Sequence, residues 1–423
     1  MKMVLLKNAT VVNKDGMQQT DVLIEDGIIK LLTPNIECFG AEIIDCDGKL
    51  VFPGFIDMHC HLRDPGQTHK EDICTGGRAA LAGGFTTVCC MPNTTPPIDN
   101  PAAVTYVRER SRVCGNADVF PIGCITRGQK GAELCEYGKM KESGAIAVSD
   151  DGVPVGSGAV MLNALKYAKT FDIPLLSHSE DKSISAGGVV NDGDNATISG
   201  LRGIPRSAES AAIARDVLLA EEAGARIHIC HVSTAESVDV IRAAKARGVQ
   251  VTCETCPHYI SATDSEILNY NTNAKINPPL REQSDVDAIV EGIKDGTIDV
   301  IATDHAPHHF DEKNVEFDYA PFGTVGLETA FSVAYTYLVL TDTIKPSDLC
   351  RLMSYTPAKI LGLSDRGRIE QGARADIVII DPDAEYVVEA SELKSKSKNS
   401  LFDGWKLNGK ITNVIVKGEL KAL

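Results

Sequence analysis

Phe55-Ile56-Asp57-Met58-His59-Cys60-His61 reads as an apolar strand that ends in two histidines. Residues i and i+2 of an extended chain face the same way, so both imidazoles project to one side, a geometry suited to a metal ion. A lone His-x-His also arises by chance and is often satisfied by ordinary hydrogen bonds. The rest of the chain tips the balance. His178 ends the run Ile173-Pro174-Leu175-Leu176-Ser177, His231 ends Arg226-Ile227-His228-Ile229-Cys230, and Asp304 follows Val300-Ile301-Ala302-Thr303. Separate strands thus each deliver an imidazole or a carboxylate at the C-terminal end, and these are the usual ligands of catalytic zinc.

Around that stretch, residues 51–365 alternate short apolar strands with helical segments. Strands are expected near 53–59, 85–91, 119–126, 145–149, 173–177, 226–231, 249–253 and 299–303, with helices such as Ser207–Ala223 and Ala235–Ala246 between them. Strands separated by helices in this number predict an α/β fold, a (β/α)8 TIM-like barrel, whose active site forms at the C-terminal ends of the strands. Ligand positions and fold therefore support one another. Residues 1–50 and 366–423 read differently. Turn signals such as Asn13-Lys14-Asp15-Gly16 and Glu25-Asp26-Gly27 flank short strands, and Ala375–Ile380 and Thr412–Glu419 look alike at the other end. The two ends are expected to build one small β-sandwich beside the barrel.

Composition narrows the function. With 423 residues, 43% hydrophobic and 24% charged, the chain suits a barrel plus a small added unit. Its apolar runs fall well short of the ~18 residues that span a bilayer, and Met1–Lys7 lacks the features of a signal peptide, so a cytoplasmic location without membrane partners is expected. The net charge of −16 argues against nucleic acid. An anionic small molecule remains compatible if cations are local, and metal ions with Arg63 would supply them. The thirteen cysteines are scattered, and in a reducing compartment they read as small buried hydrophobes. Cys253-Glu254-Thr255-Cys256 has zinc-knuckle spacing but no second pair and lies in a strand pattern, which disfavours a structural zinc there. The Lys- and Ser-rich stretch Ser391–Ser400 is expected to be a solvated loop.

Zinc polarises a carbonyl and brings bound water to a pKa near ~7, so hydrolysis or its reversal is the natural reaction class. A carboxylate that touches metal and faces substrate can move the proton, and Asp304 is the candidate.

Longer blocks carry a family resemblance. His59-Cys60-His61-Leu62-Arg63-Asp64-Pro65-Gly66, Gly83–Val88, Met91-Pro92-Asn93-Thr94, Ile229–Thr234, Asn277-Pro278-Pro279-Leu280-Arg281, Ala302–His308 and Ala320-Pro321-Phe322-Gly323 resemble the dihydroorotases of the amidohydrolase superfamily, in the long, class I bacterial form. The resemblance implies zinc-dependent, reversible cyclisation of N-carbamoyl-L-aspartate to dihydroorotate plus water. It implies a first zinc on His59, His61 and Asp304 and a second on His178 and His231. Arg63, Asn93 and His308 would clamp the substrate carboxylate, with His61 beside them, and Asn277 with the backbone at Phe322-Gly323 would bind the ring amides. Water activated at the metals would attack the ring carbonyl, Asp304 passing its proton to the leaving nitrogen. A homodimer is implied, and association with aspartate transcarbamoylase is compatible with it.

One departure concerns the metals. Many relatives bridge them with a carboxylated lysine after the fourth strand, whereas this chain reads Ala145-Ile146-Ala147-Val148-Ser149-Asp150-Asp151-Gly152. Asp151 is assigned the bridge, with Asp150 as the alternative. His69, His228, His258, His305 and His309 receive no role beyond structural or solvated ones. Dihydropyrimidinases, hydantoinases and allantoinases are the rival activities, disfavoured by Arg63, Asn93 and the missing lysine. A catalytically dead scaffold is disfavoured because every ligand position holds a competent residue.

Overall fold

The computed structural model describes residues 2–422. Five strands open the chain: β1 (Met3–Asn13), β2 (Gly16–Glu25), β3 (Ile28–Thr33), β4 (Glu42–Asp45) and β5 (Leu50–Pro53). The middle supplies β6 (Phe55–Cys60), β7 (Phe85–Cys90), β8 (Asp118–Gly123), β9 (Ala147–Ser149) and β10 (Leu175–Ser177). A two-residue pair follows, β11 (Val190–Asn191) and β12 (Gly203–Ile204), and then β13 (Ile227–Ile229), β14 (Val251–Thr255) and β15 (Val300–Ile301). The end adds β16 (Ile377–Val387), β17 (Lys406–Val416) and β18 (Glu419–Lys421).

Parallel pairing runs in the order β6-β7-β8-β9-β10-β13-β14-β15. A parallel bridge between Cys60 and His305, with the His61 N–H donated to the His305 carbonyl at 2.8 Å, brings the last strand back to the first. The expected barrel is therefore present, with its strands where the apolar runs lie. Every residue of β6 and β7 is buried, as both faces of a parallel strand must be when helices cover one and the barrel interior the other. Ile56, Cys89, Ile122, Ala147, Leu176 and Val300 come from six different strands yet meet in one cluster, which is the packed interior. The helices Ser207–Ala223 and Ala235–Ala246 form with the expected bounds, the first ending on Gly224 at φ 56° and the second capped by the Thr234 hydroxyl.

Both chain ends share a second sheet, ordered β18-β17-β16-β5-β1-β2-β3 with β4 on β1. It encloses its own apolar core, including Val4, Leu6, Val22, Ile24, Ile377 and Ile415. Asp118, at the start of β8, ties this unit to the barrel: its carboxylate lies 2.7 Å from Arg374, 3.1 Å from Arg366 and 3.1 Å from Lys417. Burial alone would push that carboxyl up, but Arg374 and Lys417 outweigh it and the pKa falls to about 2. A depressed carboxylate stabilises the fold above its unfolded pKa and loses that contribution as pH falls through the folded value. Asp118→Asn is expected to cost about 1–2 kcal/mol at neutral pH, discounted for partial exposure. Urea melts should show the gap between parent and variant closing as pH falls to about 2.

Two expectations are corrected. Cys74 and Cys114 form a disulfide, because the helix Ile73–Ala82 packs beside the end of Pro101–Cys114 and brings together positions 40 residues apart. The other cysteines are free, and all but Cys38 are buried. Ser391–Ser400 is not a solvated loop throughout. Ser395, Ser397, Asn399 and Ser400 are buried, each held by side-chain or backbone hydrogen bonds to the barrel loops or within the segment. Serine and asparagine can satisfy buried loop backbone, so polar composition did not mean exposure.

Candidate functional site

The C-terminal ends of the barrel strands surround a cavity of about 360 Å³, the size of a small-molecule site. β6 delivers His59 and His61, β10 His178, β13 His231 and β15 Asp304, while Asp151 follows β9. Asp151 stands at the centre. Its Oδ1 lies 3.4 Å from His59 Nε2, 3.3 Å from His178 Nδ1 and 3.5 Å from His231 Nε2, and its Oδ2 lies 3.4 Å from His61 Nε2. Asp304 Oδ1 approaches His61 Nε2 at 3.1 Å and His59 Nε2 at 3.5 Å. Asp150, the alternative, points elsewhere: its carboxylate accepts the Ile125 and Thr126 N–H groups and the Thr126 hydroxyl.

These atoms form the donor sets His59, His61, Asp151 and Asp151, His178, His231, sharing one carboxylate. His59 Nε2 and Asp151 Oδ1 are buried without a hydrogen-bond partner. Orphaned polar atoms are costly, and a cation between them would satisfy both. The electrostatics agree. Burial alone would lower the His59 pKa, yet Asp151 and Glu254 hold it well above the ordinary value, and His178 is raised to about 9 beside Asp151 and Glu180. Burial likewise opposes charge on Asp151, but His59, His178 and His231 hold its carboxyl well below the usual range. The pocket draws positive charge onto nitrogens that face its centre, and a metal would take the place of those protons.

A second layer orients these imidazoles, and the sequence reading missed it. His59 Nδ1 meets Glu254 Oε1 at 2.6 Å, and the other Glu254 oxygen meets His228 Nε2 at 3.1 Å. His178 Nε2 meets Glu180 Oε2 at 3.2 Å, and His61 Nδ1 meets Asn93 Oδ1 at 2.9 Å. Such partners set which ring nitrogen is available to a metal. A glutamate inside a buried strand, flanked by Cys253 and Cys256, is the signal for Glu254. Cys253 Sγ instead donates to the Thr297 carbonyl.

The opposite wall is cationic. Arg63 Nε donates to the Pro307 carbonyl at 3.1 Å, and its Nη2 lies 3.2 Å from His308 Nε2, which donates to the Phe322 carbonyl at 2.8 Å. Burial lowers Arg63 to about 10, which leaves it charged at neutral pH. His308 falls to about 2 through burial and the charges of Arg63, Lys70 and Lys313, and so stays neutral. Asn93, Asn277, Phe322 and Gly323 also line the cavity. Asn277 Nδ2 donates to Glu180 at 3.1 Å, and both peptide groups of Gly323 are engaged, its N–H by Lys275 and its carbonyl by Asn399. His258 and His305 are buried near the site, and His69 and His309 are exposed outside the cavity. Arg63, His231 and Asp304 hold φ of 59°, 36° and 46°, left-handed values that non-glycine residues adopt at a cost and that cluster at functional sites.

Comparison with known proteins is consistent with this geometry. Residues 48–237 match the dihydro-orotase-like family model and residues 188–420 the amidohydrolase family model. The chain is 52% identical to the dihydroorotase of Caldicellulosiruptor saccharolyticus over 99% of its own length and 98% of the relative's. With the dihydroorotase of Citrifermentans bemidjiense it shares 54% over 95% and 94%. Among solved structures it resembles L-hydantoinase from Arthrobacter aurescens, with a TM-score of 0.90 at 27% identity over 100% of this chain and 96% of that one. A D-hydantoinase gives 0.86 at 26% over 99% and 95%. No helix of the described residues is long and apolar enough to cross a membrane.

Proposed function

The chain belongs to the dihydroorotase family of the metal-dependent amidohydrolases, and from this premise we propose that it interconverts N-carbamoyl-L-aspartate and dihydroorotate at the cavity described above. The observation that carries the reading is the pairing, in one small cavity, of a buried His and Asp cluster with Arg63. The hydantoinase likeness extends to the fold, while the buried guanidinium opposite the cluster suits a substrate with its own carboxylate.

His59, His61 and Asp304 would hold one zinc, His178 and His231 a second, and Asp151 would join them in place of a carboxylated lysine. Zinc bound there would polarise the ring carbonyl and acidify water. Arg63 and Asn93, braced by His308 and His61, orient the carboxylate, and Asn277 with the Phe322 and Gly323 carbonyls, each of which keeps a second lone pair, orients the ring amide. Asp304 takes the proton of the attacking water and gives it to the leaving ring nitrogen, and cyclisation retraces these steps. Residues 51–365 carry this chemistry in the present reading, with 1–50 and 366–423 as the composite unit beside them. A homodimer and docking to aspartate transcarbamoylase rest on the family resemblance alone.

Purified protein incubated with dihydroorotate should show the absorbance change of ring opening. Elemental analysis is expected to find close to two zinc ions per chain, and a chelator should abolish turnover. Full activity in protein free of metal would overturn the assignment of the cluster.

A further inference from the structure

We propose that Asn399 is a positioning residue for the substrate clamp, joining the two loops that carry it. The inference rests on the reading of His308 and Phe322-Gly323 as substrate contacts. Asn399 lies in the segment between β16 and β17, far along the chain from every barrel strand, yet it is 5% exposed. Its Oδ1 accepts the His308 N–H at 3.0 Å, and its Nδ2 donates to the Ala306 and Gly323 carbonyls, both at 3.1 Å. Its own carbonyl accepts the Thr324 hydroxyl at 3.1 Å and the Val325 N–H at 3.0 Å.

One side chain thus spans the loop after β15 and the loop at 320–325. No other amino acid does this with the same reach, because the span needs an acceptor and two donors on one short planar group. The loops also meet closely. A Cβ on Gly323, which has φ 140°, would lie 2.7 Å from Ala306 Cβ and 2.8 Å from its carbonyl oxygen. Glycine permits the approach and Asn399 holds it. The His308 ring is anchored to Phe322 on the second loop and stands beside Arg63, so slippage between the loops would shift the ring against the guanidinium and tilt the Arg63 N–H groups that face the substrate carboxylate. Small misplacements of this kind cost rate or affinity out of proportion to their size.

The test compares Asn399→Ala with the parent on dihydroorotate and carbamoyl aspartate. KM is expected to rise about tenfold, with kcat within about threefold and metal content unchanged. The affinity for orotate, which carries the carboxylate, should weaken by a similar factor, while that for dihydrouracil, which lacks it, should not. Equal weakening of both ligands, or an unchanged KM, overturns the proposal. Ser395→Ala, in the same segment but bonded to Glu71, should leave KM alone, and an equal rise there would assign the effect to general loosening and also overturn it. If Asn399→Ala does not fold, Thr324→Val removes the hydroxyl that donates to the Asn399 carbonyl and accepts the Leu401 N–H, and should raise KM about threefold in the same direction; no rise overturns the proposal. A parent without dihydroorotase activity would instead sink the functional reading on which this rests.

Discussion

Asp304→Asn is expected to fold, keep most of its metal and bind substrate, yet turn over about 10²–10⁴-fold more slowly than the parent. The residue lies just beyond β15 and its side chain faces the cavity, with Oδ1 3.1 Å from His61 Nε2. Asparagine preserves the shape and an oxygen donor for metal but cannot take up a proton at neutral pH. Burial favours a neutral carboxyl, but the imidazoles of His61 and His59 hold Asp304 below the usual range, ready as a base. Single-turnover kinetics together with elemental analysis would separate the two roles. A variant that keeps its zinc and more than about a tenth of the parent rate would mean that another group moves the proton.

Arg63→Lys should lower kcat/KM about 10–100-fold in both directions with metal content intact. The guanidinium makes two commitments at once: Nε is spent on the Pro307 carbonyl, and the remaining N–H groups face the cavity beside His308. An ammonium keeps the charge but cannot hold the loop carbonyl and grip a carboxylate bidentately. The loss should shrink for carboxylate-free cyclic amides. Near-normal kinetics on dihydroorotate would remove Arg63 from the clamp.

The barrel was legible because its signals are local. Strand burial, the i, i+2 placement of His59 and His61, and helix bounds such as Ser207–Ala223 follow from neighbours a few residues apart. Ligand chemistry was legible for the same reason, since each imidazole or carboxylate sits at the end of its own apolar run.

By itself, then, the sequence determined the α/β barrel, the strand ends and the kinds of donor gathered there. Tertiary structure alone decided which of two adjacent carboxylates enters the cluster: Asp151 does, while Asp150 is drawn off by the Thr126 loop. It also decided that Glu254 orients His59, that Arg63, His231 and Asp304 adopt left-handed backbone, and that a Lys- and Ser-rich segment anchors His308 and Gly323 through Asn399. These outcomes depend on pairs up to 195 residues apart, as His59 and Glu254 are. Such pairs meet only when the barrel closes and brings its strand ends within hydrogen-bonding distance, and no local periodicity records that closure.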